Sequence, residues 1–82
     1  MPPRLRRLSA REVLAALKSF GCEIVATRGS HAKLRRVIRD GERQTLTVPL
    51  HKDLDTGTIQ AIYRQATRFI PEAELRERFY SE

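Results

Sequence analysis

The stretch RGSHAKLR, residues 28–35, sets a histidine directly after a Gly-Ser corner and follows it with cations at every second position. If the segment is extended, His31, Lys33 and Arg35 share one side of it, because strand side chains alternate faces with a period of two. Arg28 precedes the corner, Gly29 allows an anion close to backbone amides, and Ser30 adds a hydroxyl donor. An imidazole, with an ordinary pKa of about 6.5, exchanges protons at neutral pH. Guanidinium and ammonium groups neutralise developing anionic charge. RNA cleavage asks for both abilities. The 2′-hydroxyl must lose a proton, the leaving 5′-oxygen must gain one, and the phosphorane between them carries extra negative charge. The plainer reading of the same residues is a solvated turn that happens to contain a histidine.

His51 opens a loop further on, and two roles stay open for it. It is either a loop or phosphate-contact residue, or the acid–base partner of His31 if the strands bring the two together. Two histidines twenty residues apart are not a metal signature, and no acidic cluster completes one. A single cysteine, Cys22, excludes an internal disulfide and a Cys-cluster zinc site, and fits a reducing cytoplasm. No metal or other cofactor is expected.

Charge points to the same kind of partner. The chain of 82 residues carries 16 Lys and Arg against 10 Asp and Glu, a net charge of +6. Residues 1–44 hold eleven Lys/Arg against four Asp/Glu, whereas residues 45–82 hold five against six. Thirteen of the cations are arginine, the better bidentate ligand for phosphate. A basic half of this kind favours nucleic acid, with an acidic protein partner as the competing explanation. No apolar run approaches the roughly 20 residues of a membrane span. The basic start MPPRLRR leads into a polar capping sequence instead of a signal peptide. Residues 1–7 are expected to be a flexible basic arm able to touch phosphates.

The elements that must position these groups follow from periodicity and capping. Ser9 and Glu12 form a capping box, Leu8 and Val13 a hydrophobic staple, and Gly21 a stop, which predicts a helix over 9–20. Residues 22–28 read as a strand whose facing is ambiguous because Ile24 and Val25 are adjacent. After the Gly29-Ser30 turn, residues 31–39 alternate, with Ala32, Leu34 and Ile38 inward and His31, Lys33, Arg35 and Arg39 outward. Arg36 and Val37 break this pattern, so a bulge or frayed end is expected there. Asp40-Gly41 signals a hairpin. Residues 43–50 then place Leu46, Val48 and Leu50 inward and Arg43, Thr45 and Thr47 outward, with Pro49 at the strand's end or edge.

Past the loop 51–58, capped by Asp55 or Thr56, Ile59, Ile62, Tyr63, Ala66, Phe69 and Ile70 keep a helical stripe. Pro71 ends it and opens a short helix over 72–79 anchored by Leu75 and Phe79. The aromatic residues at helical spacing read as core, and Glu72, Glu74 and Glu77 as a solvated face. The expected fold is a single α+β domain. It has a three-stranded antiparallel sheet with both main helices on one face, and residues 71–82 add a helical tail. That α-β-β-β-α order is the topology of a double-stranded-RNA-binding domain, which holds RNA through phosphates and 2′-hydroxyls.

The run LSAREVLAALKSFGCEIVATRGSHAKLRR, followed by LTVPLHKDLDTGTIQAIYRQA, resembles the HicA (YcfA-like) family, the mRNA interferase toxins of type II toxin–antitoxin systems. The likeness is carried by Ser9, Arg11, Glu12, Val13 and Leu17, then Gly29-Ser30-His31, then Val48-Pro49 with His51. Gly57-Thr58 and Ile62 with Gln65-Ala66 complete it, over roughly residues 8 to 70. No single motif is specific; the ordered set is. The resemblance implies a double-stranded-RNA-binding-like fold, ribosome-independent cleavage of mRNA without a metal, and a HicB-type antitoxin covering the active face. It also implies that His31 is the catalytic histidine. Arg28, Gly29, Ser30, Lys33, Arg35 and Arg43 are the expected RNA contacts around it, with His51 a secondary candidate. Cys22 stands where the family usually has an aromatic residue, and KDLDTGT carries two aspartates where the family is often more basic. The rival class is a binding module that holds duplex RNA without cutting it.

Overall fold

A computed structural model describes residues 3–38 and 41–81. Eight elements run in the order β1 (Arg4–Leu5), α1 (Ala10–Ser19), β2 (Glu23–Arg28), β3 (His31–Val37), β4 (Arg43–Pro49), α2 (Thr56–Ala66), α3 (Glu72–Phe79) and β5 (Tyr80–Ser81). The fold is α+β, with β2, β3 and β4 forming an antiparallel sheet in which β3 is central. Ala32, Leu34, Leu46 and Val48 cover one face of that sheet. They pack into a single core with Val13 and Leu17 of α1, Ile59, Ile62 and Ala66 of α2, and Leu75 and Phe79 of α3. Both main helices therefore sit on one face, and the other is left to solvent. Among the described residues no helix is long and apolar enough to cross a membrane.

Local chemistry sets the helix ends. The Glu12 N–H donates to Ser9 Oγ at 3.1 Å and the Ser9 N–H donates to Glu12 Oε1 at 2.9 Å, closing the capping box. At the other end Gly21 takes φ +89°, and the N–H groups of Gly21 and Cys22 donate to the carbonyls of Lys18 and Leu17. This is a Schellman arrangement, which closes the helix on its last carbonyls. Asp55 caps α2 by accepting from the Thr58 N–H at 2.7 Å. Hydrogen bonds from the Ser9 and Thr58 amides hold the Glu12 and Asp55 carboxyls below their ordinary range. A carboxyl so held stabilises the fold at every pH above its ordinary value, and the contribution disappears as pH falls through the lowered one. Ser9→Ala is expected to cost about 1 kcal/mol. Asp55→Ala removes a cap that titrates, so its melting temperature should fall below the parent's at neutral pH and approach it in acid.

The structure departs from the sequence expectations at several places. The irregularity in the sheet is in β2, between Ile24 and Ala26, and not at Arg36 and Val37. Arg36 stays in register opposite Gln44 and lies half-buried on the core side. Its Nη1–H group donates to Gln44 Oε1 at 3.1 Å and to the Phe69 carbonyl at 3.0 Å. Those bonds supply partners for Gln44, which is buried, and for a carbonyl of the turn after α2. Arg36→Met should leave both unpaired, at a cost of about 1–3 kcal/mol, read as a lower urea midpoint with an unchanged slope.

α2 ends at Ala66 and does not reach Pro71, because Thr67 Oγ1 bonds back to the Arg64 carbonyl at 2.8 Å and residues 67–70 turn. Phe69 and Ile70 pack on the core from that turn. Leu50 does not continue the inward face of β4. It is 36% exposed, since its N–H donates to the Ser30 carbonyl and β4 stops one residue earlier. Ile38 lies beyond the end of β3 and is half-buried. Arg39 and Asp40 lie outside the described residues.

The segment read as a flexible arm contributes β1, which pairs Arg4 with Ser81 and Leu5 with Tyr80. The Arg6 N–H then donates to the Phe79 carbonyl at 2.8 Å. Leu5 packs against the core, which gives this basic segment an apolar anchor. Tyr63, Phe79 and Tyr80 meet edge-on, with the Tyr63 ring centroid 5.5 Å from Phe79 and 5.3 Å from Tyr80. Burial and a hydrogen bond to Glu72 push the Tyr63 hydroxyl up to about 12. Tyr63 is thus a neutral core residue and no platform for a base.

Candidate functional site

β2 and β3 are joined by the two residues Gly29 and Ser30, with Arg28 and His31 as the closing pair. Gly29 takes φ +58° and Ser30 does not take a positive φ, the type II′ pattern, which favours glycine at its first position. Nothing lies within 4 Å of where a Gly29 side chain would begin, so the turn is open above its backbone. The Ser30 carbonyl accepts from the Leu50 N–H, which ties the turn to the end of β4. His31, the first residue of β3, is thereby held between Arg28 on one side and Pro49 on the other. Its ring is exposed, with Nδ1 3.4 Å from Ser30 Oγ.

Below His31 on the same open face come Lys33, opposite Ala26 and Thr47, and Arg35, opposite Glu23 and Thr45. Same-face neighbours on one strand are about 7 Å apart. Lys33 is exposed and Arg35 half-buried, and among the described residues the covered Arg35 Nε–H has no acceptor. Arg43 is exposed further along β4, two residues before Thr45.

The irregularity at Val25 has a direct consequence here. In an unbroken strand, the register that sets Glu23 opposite Arg35 would turn Arg28 to the core side. One extra residue in β2 restores the phase, so Arg28 emerges on the face that carries His31. The bulge also answers why Ile24 and Val25 gave no clear facing. Both are partly exposed, at 40% and 44%.

His51 lines a groove against α1 with Arg11, Leu14, Lys18 and Leu50, whereas His31 lines a neighbouring one whose edge residue Asp55 feels the His51 charge. That second groove lies between β4 and the flank of α2 and is bordered by Thr47, Pro49, Thr58, Ala61 and Gln65. None of these last five stands out in the sequence as a site residue. The signal was available: Thr58, Ala61 and Gln65 recur at helical spacing beside the buried stripe of α2.

Cys22 is buried, and burial pushes its thiol up against the pull of the Arg36 charge, which makes it a packing residue and no nucleophile. Among the described residues no group of three or more His, Cys, Asp or Glu is placed to hold a metal ion.

The exposed imidazole can therefore exchange protons with a bound molecule, while the cations along β3 and at Arg28 can hold an anionic chain across the open face. A family model described as the HicA toxin of bacterial toxin–antitoxin systems matches residues 10–67. Comparison with curated proteins and with solved structures gives no match.

Proposed function

The chain belongs to the HicA toxin family of bacterial toxin–antitoxin systems, and we propose that it is an endoribonuclease that cleaves mRNA with His31 as its general acid or base. The observation that carries this reading is the shared open face of His31, Arg28, Lys33 and Arg35. The RNA's own 2′-oxygen is the nucleophile. It bonds to phosphorus as its proton leaves, the bond from phosphorus to the 5′-oxygen breaks, and that oxygen takes a proton. His31 handles one of these transfers. Arg28, Lys33 and Arg35 balance the charge that builds on the phosphoryl oxygens. Arg35, half-buried beside Lys33, adds its charge to the same face. Gly29 and Ser30 border the position of the reacting phosphate, and Arg43 extends the cationic surface along β4. His51, on the other groove, contacts flanking phosphate and takes no part in proton transfer.

Membership of a toxin–antitoxin family implies an antitoxin partner. A HicB-type antitoxin fits that role by covering the open cationic face, and RNA and antitoxin then compete for it. The site of action that goes with this reading is the cytoplasm.

Incubating the protein with single-stranded RNA in EDTA tests the proposal. Cut products are expected. Intact single strands together with a stable shift of duplex RNA would instead identify a binding module.

A further inference from the structure

Beside His31, a shallow groove open to solvent, about 450 Å3 in volume, runs between β4 and α2. Its chemistry differs from that of the strip along β3. Pro49, Ala61 and Ile62 give it apolar walls, and Gln65 adds an amide. Gln65 Oε1 faces the Thr47 N–H at 3.5 Å. A backbone N–H only donates, so the oxygen must be the amide atom turned to the strand, and the nitrogen is turned away from it. Among the described residues neither N–H of that nitrogen has an acceptor. Asp55 stands at the edge of the same groove as a carboxylate, its Oδ1 occupied by the Thr58 N–H. An anion on one side and the cations of β2 and β3 on the other orient any nucleic acid strand that lies here. Its phosphates are drawn to Arg28 and Lys33 and repelled from Asp55, so an uncharged part of the strand must enter the groove.

We infer that this groove holds one unstacked base of the RNA next to the cleaved bond, and that Gln65 selects it by donating an amide N–H to an acceptor on the base edge. The inference rests on the reading of this face as an RNA-cleaving surface. Single-stranded RNA is recognised in this way, by bases splayed from the strand and hydrogen-bonded along their edges. Gln65 is thus a specificity-determining residue, with Pro49 and Ala61 as the apolar bed beneath the base.

The test uses 2′-O-methyl pentanucleotides of A, C or U, which keep their bases and offer no free 2′-hydroxyl for cleavage. Binding to the unaltered protein should spread over roughly tenfold or more between the tightest and weakest of the three, the usual discrimination of one side chain reading a base edge. Gln65→Glu keeps an acceptor for Thr47 and loses both donors; Gln65→Met does away with the added charge. Both should narrow the spread to about threefold or less, with an unchanged melting temperature for Gln65→Glu, which keeps the Thr47 acceptor. A spread that persists in both variants, or one absent from the unaltered protein, overturns the inference. Separately, intact single-stranded RNA in the cleavage assay would remove the catalytic reading. A Gln65-dependent spread in binding would still establish the base site.

Discussion

His31→Ala is expected to lower the rate of RNA cleavage by roughly 10²–10⁴, the usual worth of one proton-transfer group, while the melting temperature stays where it is. The two halves of that result have separate causes. The ring is exposed, and its polar neighbour is the Ser30 hydroxyl beside it, so removing it opens no cavity and orphans no buried group. The backbone that places it is fixed by other residues: the Gly29 turn, the Ser30–Leu50 hydrogen bond, and ladder pairing on both sides of β3. Single-turnover cleavage of a labelled RNA, with a melt of the same preparation, checks both halves. His51→Ala is the internal control, and its rate should stay within about threefold of the parent, as befits a flanking phosphate ligand. Expression in bacteria should arrest growth with His31 in place and not with alanine there.

Removing the charges of Lys33 and Arg35 together should act on binding before chemistry. On a single strand, each phosphate that the protein no longer neutralises takes about 0.7 from the slope of log affinity against log salt. The double variant Lys33→Gln, Arg35→Gln is therefore expected to flatten that slope by about 1.4 and to weaken RNA binding by tenfold or more at low salt. Saturating RNA should restore part of the missing rate, which distinguishes these side chains from His31. A binding titration across salt concentrations reads the slope directly, and an unchanged slope would mean that this strip does not meet phosphate. Because Lys33 is exposed and Arg35 half-buried with an unmet donor, glutamine at both places should leave the core packing intact.

Much of this architecture is written in short-range signals. The capping box of Ser9 and Glu12, the Gly21 stop and the cap at Asp55 fix helices through interactions three or four residues apart; the Asp55 cap starts α2 at Thr56, so residues 56–58, read as the end of a loop, are helical. The boundaries of α3 follow from Pro71 and the Leu75–Phe79 pair. Alternation likewise placed His31, Lys33 and Arg35 on one face and Leu34, Leu46 and Val48 on the other.

The features that escaped are those decided by distant partners. The β2 bulge depends on pairing with β3, and two adjacent apolar residues carry no phase of their own. Arg36 reads locally as a break in a pattern, but it is anchored by Gln44 and by the Phe69 carbonyl 33 residues away. β1 exists because the end of the chain returns to Arg4 and Leu5, over a separation no periodicity reports. The groove beside His31 needs α2 to lie against β4, so Gln65 looked like one more polar residue on a helix.

If the His31 imidazole moves a proton for an attack by the RNA's own 2′-oxygen, the ends of the cut strands must show it. The most direct measurement is end-group analysis of the cleaved RNA, run beside a substrate carrying a single 2′-deoxy sugar on the 5′ side of the cut bond. The cut strands should carry 2′,3′-cyclic phosphate and 5′-hydroxyl ends, with no cleavage at the deoxy position. Cleavage at that position, or products ending in 3′-hydroxyl and 5′-phosphate, would contradict that attack.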